Sequence, residues 1–342
     1  MSDPLKYSVA IICALVVEGA AVRAFLDARH DDPEYVAEND NNNYTLGNIG
    51  KHNVVICILP HSQTGLVSAA AVARDLLSSF PRIRVGLLVG IAGGAPSSDH
   101  DIRLGDIVVS ASDNGNAAVF QYDHGKAEQG TDYSIKSFMN QPPPILLAAV
   151  SAVEMDYESE GVALDDNVER ALERKPHMRQ KYQKPDELTD RLYLPDFLHV
   201  EKKVDCGKAC GDNSSTLTKR EQRLSSGPAI HYGMIASANT VMKDALVRDE
   251  LIKRHPILCF EMEAAGLMNH FPCLVIRGIC DYSDSHKNDK WQPYAAMTAA
   301  AYARDIIRRI IPSKLERMDA ISDTLSSGKL QFTKASMLAA PS

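Results

Sequence analysis

Phe260-Glu261-Met262-Glu263-Ala264-Ala265-Gly266 and Arg277-Gly278-Ile279-Cys280-Asp281-Tyr282-Ser283-Asp284 stand close together near the C-terminal end, with an apolar run at 271–276 between them. Residues 273–280 have the length and apolar content of a strand buried on both faces. Desolvating a charge costs several kcal/mol. Acids at the ends of buried segments therefore need a partner or a task. Two acidic motifs flanking one strand point to a shared pocket at the carboxyl edge of a sheet, where open α/β folds place their sites.

Outward from that strand, periodicity predicts strands and helices in alternation. Residues 7–14 read as a strand and 18–28 as a helix. Residues 44–49 and 53–59 read as a hairpin around Gly50-Lys51-His52. Residues 65–80 carry helical spacing closed by Pro81, and 85–89 read as a buried strand entering a glycine turn, Gly90-Ile91-Ala92-Gly93-Gly94. Strands follow at 106–110 and 117–122, and a helix at 146–155. From about 156 to 228 the chain turns to Lys, Arg, Asp and Glu, which reads as an insertion, partly helical at 168–174, with a mobile loop at 206–226. A strand at 230–236, a helix at 241–253, a short strand at 258–260 and a long helix at 294–311 complete the order. This is an α/β pattern with a mixed sheet covered on both faces. One catalytic domain is expected over 7–312, with a C-terminal tail at 313–342 that is loose from 326.

The chain has 342 residues, 45% hydrophobic and 24% charged, a globular composition. A net charge of -7 argues against a nucleic-acid partner, which favours a basic face. No apolar run has the length of a membrane span, and residues 1–6 lack the features of a secretory signal. Seven cysteines leave at least one unpaired. Cys13, Cys57, Cys259, Cys273 and Cys280 fall in strand-like segments and read as reduced core thiols of a cytoplasmic protein. Cys206 and Cys210 have no second pair nearby of the kind a structural zinc site uses. They read as a loop disulfide or as free thiols, and no metal is expected.

Taken one at a time, the acids stay open to two readings. Glu18 fits a first-turn acid favoured by a helix dipole, or a general base at a strand end. Asp281 fits a helix N-cap or an ion pair with Arg277, or a general acid. Glu263 opens a helix-like segment, and Glu261 beside it makes one of the two face the interior. The glycines at 90–94 let a ligand approach the backbone, but no Lys-Ser or Lys-Thr follows as in a phosphate loop.

The combination is more specific. Ile11-Ile12-Cys13-Ala14-Leu15-Val16-Val17-Glu18, the glycines at 90–94, Leu104-Gly105-Asp106-Ile107-Val108-Val109-Ser110, Ile235-Ala236-Ser237-Ala238-Asn239, Glu261-Met262-Glu263-Ala264-Ala265 and residues 277–281 stand in one order and spacing. Together they resemble the nucleoside phosphorylase and nucleosidase superfamily. The branch is that of the methylthioadenosine nucleosidases and the fungal nucleoside phosphorylase-like domains. The resemblance covers roughly 7–311 outside the insertion, and 280–291 is most similar to the fungal subgroup. It implies a three-layer α/β/α fold whose central mixed sheet forms a partial barrel, a homodimer, and no cofactor.

The resemblance also implies cleavage between a purine and its ribose through an oxocarbenium-like transition state. Asp281 matches the acid at purine N7. Glu263 matches the group that holds the ribose 2′- and 3′-hydroxyls, Met262 packs on the sugar, and Glu261 lies beside them. Val241 falls against the purine face, and the backbone of Met242 would read the base edge. Ile91 and Gly93 belong to the glycine-rich segment beside the sugar. Tyr122 and Asp284 fall near the substrate's 5′ end, with Gln121, Asp123, Ser285, His286 and Lys287.

Phosphorylases of the superfamily carry an Arg just before the first glycine and a Ser just after it. Here Leu88 or Val89 and Ile91 stand there, and an apolar wall cannot take up a phosphate dianion. The nucleosidase branch carries a Glu after the first strand to activate water. Glu18 is at that place, and Arg277 would orient it. The expectation is a purine nucleosidase that hydrolyses adenosine, inosine or guanosine to free base and ribose. The alternatives are a nucleosidase of AMP or ATP with His286 and Lys287 on phosphate, a phosphate-dependent phosphorylase, and a non-catalytic nucleoside-binding module. The intact set of Glu18, Glu263 and Asp281 weighs against the last.

Overall fold

Alternation along the first strand sets up the layers. In β1 (Val9–Cys13), Val9, Ile11 and Cys13 enter one hydrophobic core while Ala10 and Ile12 enter the other. Successive side chains of a strand point to opposite faces, so a strand apolar at every position must lie inside the sheet. The computed structural model describes residues 1–111, 117–126, 134–139, 141–201, 204–223 and 227–327, with 126 and 134–138 as backbone only.

In chain order the elements are β1, α1 (Val16–Ala24), β2 (Ala28–Arg29), β3 (Tyr44–Ile49), β4 (His52–Ile58), α2 (Leu66–Ser79), β5 (Val85–Gly94), β6 (Ile107–Val109), β7 (Val119–Lys126) and β8 (Ser134–Phe138). Then come α3 (Pro144–Glu160), α4 (Leu164–Arg174), α5 (Arg179–Tyr182), α6 (Cys206–Ala209), β9 (Ile230–Tyr232), β10 (Met234–Ser237), α7 (Ala245–Arg254) and β11 (Ile257–Glu261). The last are α8 (Ala264–Leu267), β12 (Cys273–Asp281), α9 (Gln292–Arg309), α10 (Pro312–Glu316) and α11 (Ile321–Ser326).

β5 is the hub of the mixed sheet. It lies parallel to β1 and to β12, and antiparallel to β11 at Gly93 and Gly94. On one side the order runs β5-β1-β4-β3-β2, and on the other β5-β11-β10-β7-β8. β12 carries β6, β6 carries β9, and β9 runs through Gly233 into β10. These strands curl into part of a barrel, and the sheet as a whole stays open. Helices α1, α3, α4 and α9 share the core on one face, while α2 and α8 share the core on the other. That is the expected three-layer arrangement. Among the described residues, no helix is long and apolar enough to cross a membrane.

Three expectations shift. The glycines at 90–94 form no turn: they continue β5, because β12 and β11 supply ladder partners up to Gly94. The helix expected from Val241 starts at Ala245, where Asp244 caps it by accepting from the Leu246 and Val247 N–H groups, so Val241 and Met242 lie in the preceding loop. The first part of the expected insertion belongs to the helical layer. α3 runs on to Glu160, and α4 buries Leu164, Val168, Ala171 and Leu172 in the main core. Its charged residues lie on the outer face, so composition disguised a core helix. Residues 224–226 of the expected mobile loop and 328–342 of the expected loose tail lie outside the described residues.

Candidate active site

The carboxyl ends of β1, β5 and β12 meet the β11–α8 corner around one cavity of about 220 Å³. Glu18, Ile91, Gly93, Val241, Met242, Glu261, Met262 and Glu263 all line it. Eight residues expected at the site from sequence thus share one space. Arg277 lies beneath it, fully buried, at the centre of three carboxylates. Its guanidinium hydrogen-bonds Glu261, approaches Glu263 Oε2 at 3.2 Å and stands 3.9 Å from Glu18 Oε1.

Each acid is held from the backbone. Glu18 Oε2 accepts from the Ala14 and Leu15 N–H groups at 2.7 Å each, and Oε1 accepts from the Ile91 N–H at 2.8 Å. Glu261 accepts from the N–H groups of Glu263 and Ala264, capping α8. It therefore positions both Arg277 and the Glu263 backbone. Glu263 Oε1 accepts from the Gly65 N–H at 3.2 Å.

Three carboxylates against one guanidinium leave a surplus of negative charge in a buried place. Burial pushes the Glu18 carboxyl above its ordinary range, against the pull of Arg277 and the three N–H donors. Glu263 is pushed up to about 7. Burial is the main cause, Arg277 opposes it, and Glu261 and Glu18 add to it. Arg277 is held more firmly protonated than usual: burial alone would weaken its charge, but the carboxylates outweigh that. Such a cluster stabilises positive charge that develops nearby, since fixed charges act strongly where water is excluded.

The glycines of β5 are explained by these side chains. A Cβ on Gly90 would stand 2.3 Å from Arg277 Nη1 and 2.5 Å from Glu18 Oε1. A Cβ on Gly93 would stand 2.6 Å from Asp281 Oδ1 and 2.2 Å from Ser283 Oγ. Only glycine lets β5 pass between the Glu18–Arg277 pair and Asp281.

Asp281 is buried at the end of β12. Its Oδ1 accepts from the Ser283 N–H at 2.9 Å, and its Oδ2 binds Lys287 Nζ at 2.5 Å. Lys287 and Ser283 line the same cavity as the acids. Ser283 Oγ is buried with no partner, and its backbone takes φ +56°, rare for a residue with a side chain. Sequence reasoning did not place Ser283, Thr64 or Gln292 at this wall. It placed Lys287 near the substrate's 5′ end, and on phosphate in the nucleotide alternative, whereas here Lys287 is bound to Asp281.

Besides Arg277 beneath it, three expected residues stand apart from the cavity lining: Asp281, which meets it only through its partners Ser283 and Lys287 and itself lines a neighbouring smaller cavity, Tyr122 and Asp284. Tyr122 packs edge-on against Phe260 and donates to the Thr240 carbonyl at 2.9 Å, so it supports the loop that carries Val241. Asp284 is buried on the far side of Asp281, where its Oδ1 accepts from the His286 N–H. Leu88 and Val89, expected as the wall that excludes phosphate, are buried in the two cores, while Ile91 alone of the three lines the cavity.

A sequence profile of the Phosphorylase superfamily matches residues 8–311. The chain belongs to this superfamily. It is 41% identical over 313 residues to a nucleotide-binding leucine-rich repeat (NLR)-like protein of Hyaloscypha variabilis, a match covering 92% of this chain and 30% of that protein. It is 23% identical over 308 residues to the ATP nucleosidase Cap17 of Escherichia coli, covering 88% of this chain and 51% of that one. The chain thus spans about half the length, or less, of these curated relatives. Among solved structures, the 5'-methylthioadenosine/S-adenosylhomocysteine nucleosidase of Neisseria meningitidis superposes with a TM-score of 0.55 at 16% identity, over 88% of this chain and 98% of that one. That likeness is one of fold.

Proposed function

We propose that this superfamily member hydrolyses the N-glycosidic bond of purine ribonucleosides, releasing free base and ribose. The reading rests on one observation: Glu18, Glu261 and Glu263 surround Arg277 on the same cavity that Lys287, bound to Asp281, also lines. Leaving purine and developing ribosyl cation need opposite treatment, and the two groups of charge offer it.

In this reading Glu263 accepts from the ribose 2′- and 3′-hydroxyls, with Met262 against the sugar. Val241 lies on the purine face and the Met242 backbone on its edge. Asp281 faces N7. As the C1′–N9 bond breaks, its electron pair moves into the purine and a proton reaches N7 through Asp281. Lys287 and the Ser283 N–H fix the two Asp281 oxygens in place for that transfer. Glu18 takes the proton of a water whose oxygen forms the new bond to C1′. Its raised proton affinity suits a base, and three N–H donors keep the carboxylate aimed. The surplus of carboxylates stabilises the ribosyl cation between these events.

A second reading keeps the reaction and takes a purine nucleotide such as AMP or ATP. It is favoured by the likeness to a protein named ATP nucleosidase. Against it, the cavity lining is rich in acids and its lysine is engaged by Asp281. Purified protein incubated with adenosine, inosine, guanosine, AMP and ATP in phosphate-free buffer tests both. Free base together with free ribose is expected from a nucleoside. Turnover of nucleotides alone selects the second reading, and a phosphate requirement with ribose 1-phosphate as product overturns hydrolysis.

A further inference from the structure

We propose that His199, Cys206, Cys210 and His286 form a structural zinc site that staples the insertion to the loop after β12. This reverses the expectation of no metal drawn from sequence. Cys206 and Cys210 stand four residues apart across α6, so their side chains leave the same side of one helical turn. Both thiols are free. His199 Nδ1 lies 3.1 Å from Cys210 Sγ and 3.7 Å from Cys206 Sγ. Ligand atoms of His199, Cys210 and His286 lie within 4.8 Å of one another. A tetrahedral zinc with Zn–S of about 2.3 Å and Zn–N of about 2.0 Å sets its ligands roughly 3.3–3.8 Å apart. The His199–Cys210 and His199–Cys206 separations match such a shell, and His286 stands within 4.8 Å of His199 and Cys210, so a small closure would complete it.

The second and independent sign is His286. Its side chain is buried at 6% exposure, yet neither ring nitrogen has a hydrogen-bond partner. Buried polar groups without partners are rare and call for an explanation. The ring does not gain its place from polar contacts. It is stacked on Tyr193, with centroids 3.9 Å apart and planes 17° off parallel, and beyond that lies near-parallel to Phe197 at 5.7 Å. This aromatic stack fixes the plane of an imidazole whose nitrogens are left free. Asp284 Oδ2 stands 3.7 Å from His286 Nδ1, beyond hydrogen-bond reach, and a small ring shift would let it orient a metal-bound imidazole. Two thiolates and two imidazoles are a donor set that zinc favours in closed sites. Hard cations prefer oxygen ligands and are disfavoured here.

The fourth ligand explains why sequence spacing concealed the site. Three ligands come from the insertion within a dozen residues, but His286 comes from the loop after β12, far along the chain. That loop also carries Lys287, which holds Asp281. A metal here would fix the loop from behind, through the residue next to that lysine. Its role is that of positioning, and the proposal does not depend on which substrate the cavity takes.

The test uses the full chain. It is purified without added chelator, dialysed, and measured for zinc by mass spectrometry of the elements. It is then stripped with chelator and titrated with zinc alone. One zinc per chain is expected on isolation and again on titration. Cobalt(II) in its place should give the visible bands of a tetrahedral site with thiolate ligands. The Cys206→Ser/Cys210→Ser pair should lose the zinc. The proposal is overturned if the parent takes up no stoichiometric zinc, if the double variant retains it in full, or if peptide mapping of fresh protein finds a Cys206–Cys210 disulfide. Should the double variant fail to fold, titration of the stripped parent decides alone.

Discussion

Two ion clusters in this sheet differ in charge balance. At the edge of β6, the buried Asp106 meets an arginine and a histidine, and the half-exposed Asp101 shares that arginine. Asp106 binds both terminal nitrogens of Arg223 and the ring of His231, and accepts from the Arg103 and Ala229 N–H groups. Burial alone would raise its proton affinity, but His231 and Arg223 outweigh burial and hold the carboxyl below its ordinary range. Around Arg277 of β12 the acids are in excess. Three carboxylates share Arg277, whose Nε has no partner, and Glu18 and Glu263 are pushed upward. A saturated acid has no capacity left for a ligand and ties chain segments together. An excess of acids around one cation is tolerated only where something else gains from the field, and perturbed groups of that kind gather at functional sites.

Substitutions on either side should separate the two roles, the largest effect falling on chemistry. Asp281→Asn keeps an acceptor for the Ser283 N–H but cannot pass a proton. General acid catalysis contributes about 10²–10⁴-fold, and a fall in kcat of that order is expected, read as base release under saturating nucleoside. A variant as fast as the parent would remove Asp281 from the mechanism. Asp106→Asn should do the reverse. The loss leaves Arg223 only the half-exposed Asp101 as partner; breaking a buried pair from one side costs roughly 3–5 kcal/mol, measurable as a lowered denaturant midpoint. Its kcat per folded molecule should match the parent's. If Asp106→Asn instead abolished turnover in a protein of undiminished stability, the division between binding and building clusters would fail.

The same contrast explains what could be seen in the sequence. β1, β4, α2, β12 and α9 were legible because their apolar periods are long and unbroken. Glu18, Glu261 and Glu263 were legible as candidates because each sits beside an apolar strand or in a recognisable motif, but the set of three expected from sequence held Asp281 where the structure has Glu261 on Arg277. β2, with two residues, and the short β8 gave periodicity too little length to act on. Gly90 to Gly94 looked like a turn because the groups that exclude a Cβ there, Arg277, Glu18, Asp281 and Ser283, come from elsewhere in the chain. Lys287 was placed near the substrate's 5′ end for a similar reason. Its partner is six positions away around a bend, and no spacing rule for strand or helix brings those two together. Tyr122 and Asp284 were expected near the substrate's 5′ end for their polarity; in the structure each hydrogen-bonds a loop and neither lines the cavity.

The subtlest contrast lies in how the clusters respond to pH. Glu263 binds its proton up to about pH 7 in the folded chain, while an unfolded Glu releases it near about 4.3. Between those values the folded state holds more protons than the unfolded one, so stability falls as pH rises through that window. Glu263→Gln cannot ionise and escapes this loss. It should be more stable than the parent above about pH 7, by roughly 1–3 kcal/mol at about 1.4 kcal/mol for each shifted unit. The difference should vanish below about pH 4. Asp106 runs the other way: its lowered proton affinity stabilises the fold above the unfolded value and is lost on acidification. Denaturation midpoints of the two variants across pH 4–8 should therefore diverge from the parent in opposite directions. Glu263→Gln should also raise KM for a nucleoside, because a neutral amide holds the ribose hydroxyls less well than a carboxylate. A variant less stable than the parent at pH 8 would mean that Arg277 satisfies all three acids, and that no surplus charge waits in the cavity for a ribosyl cation.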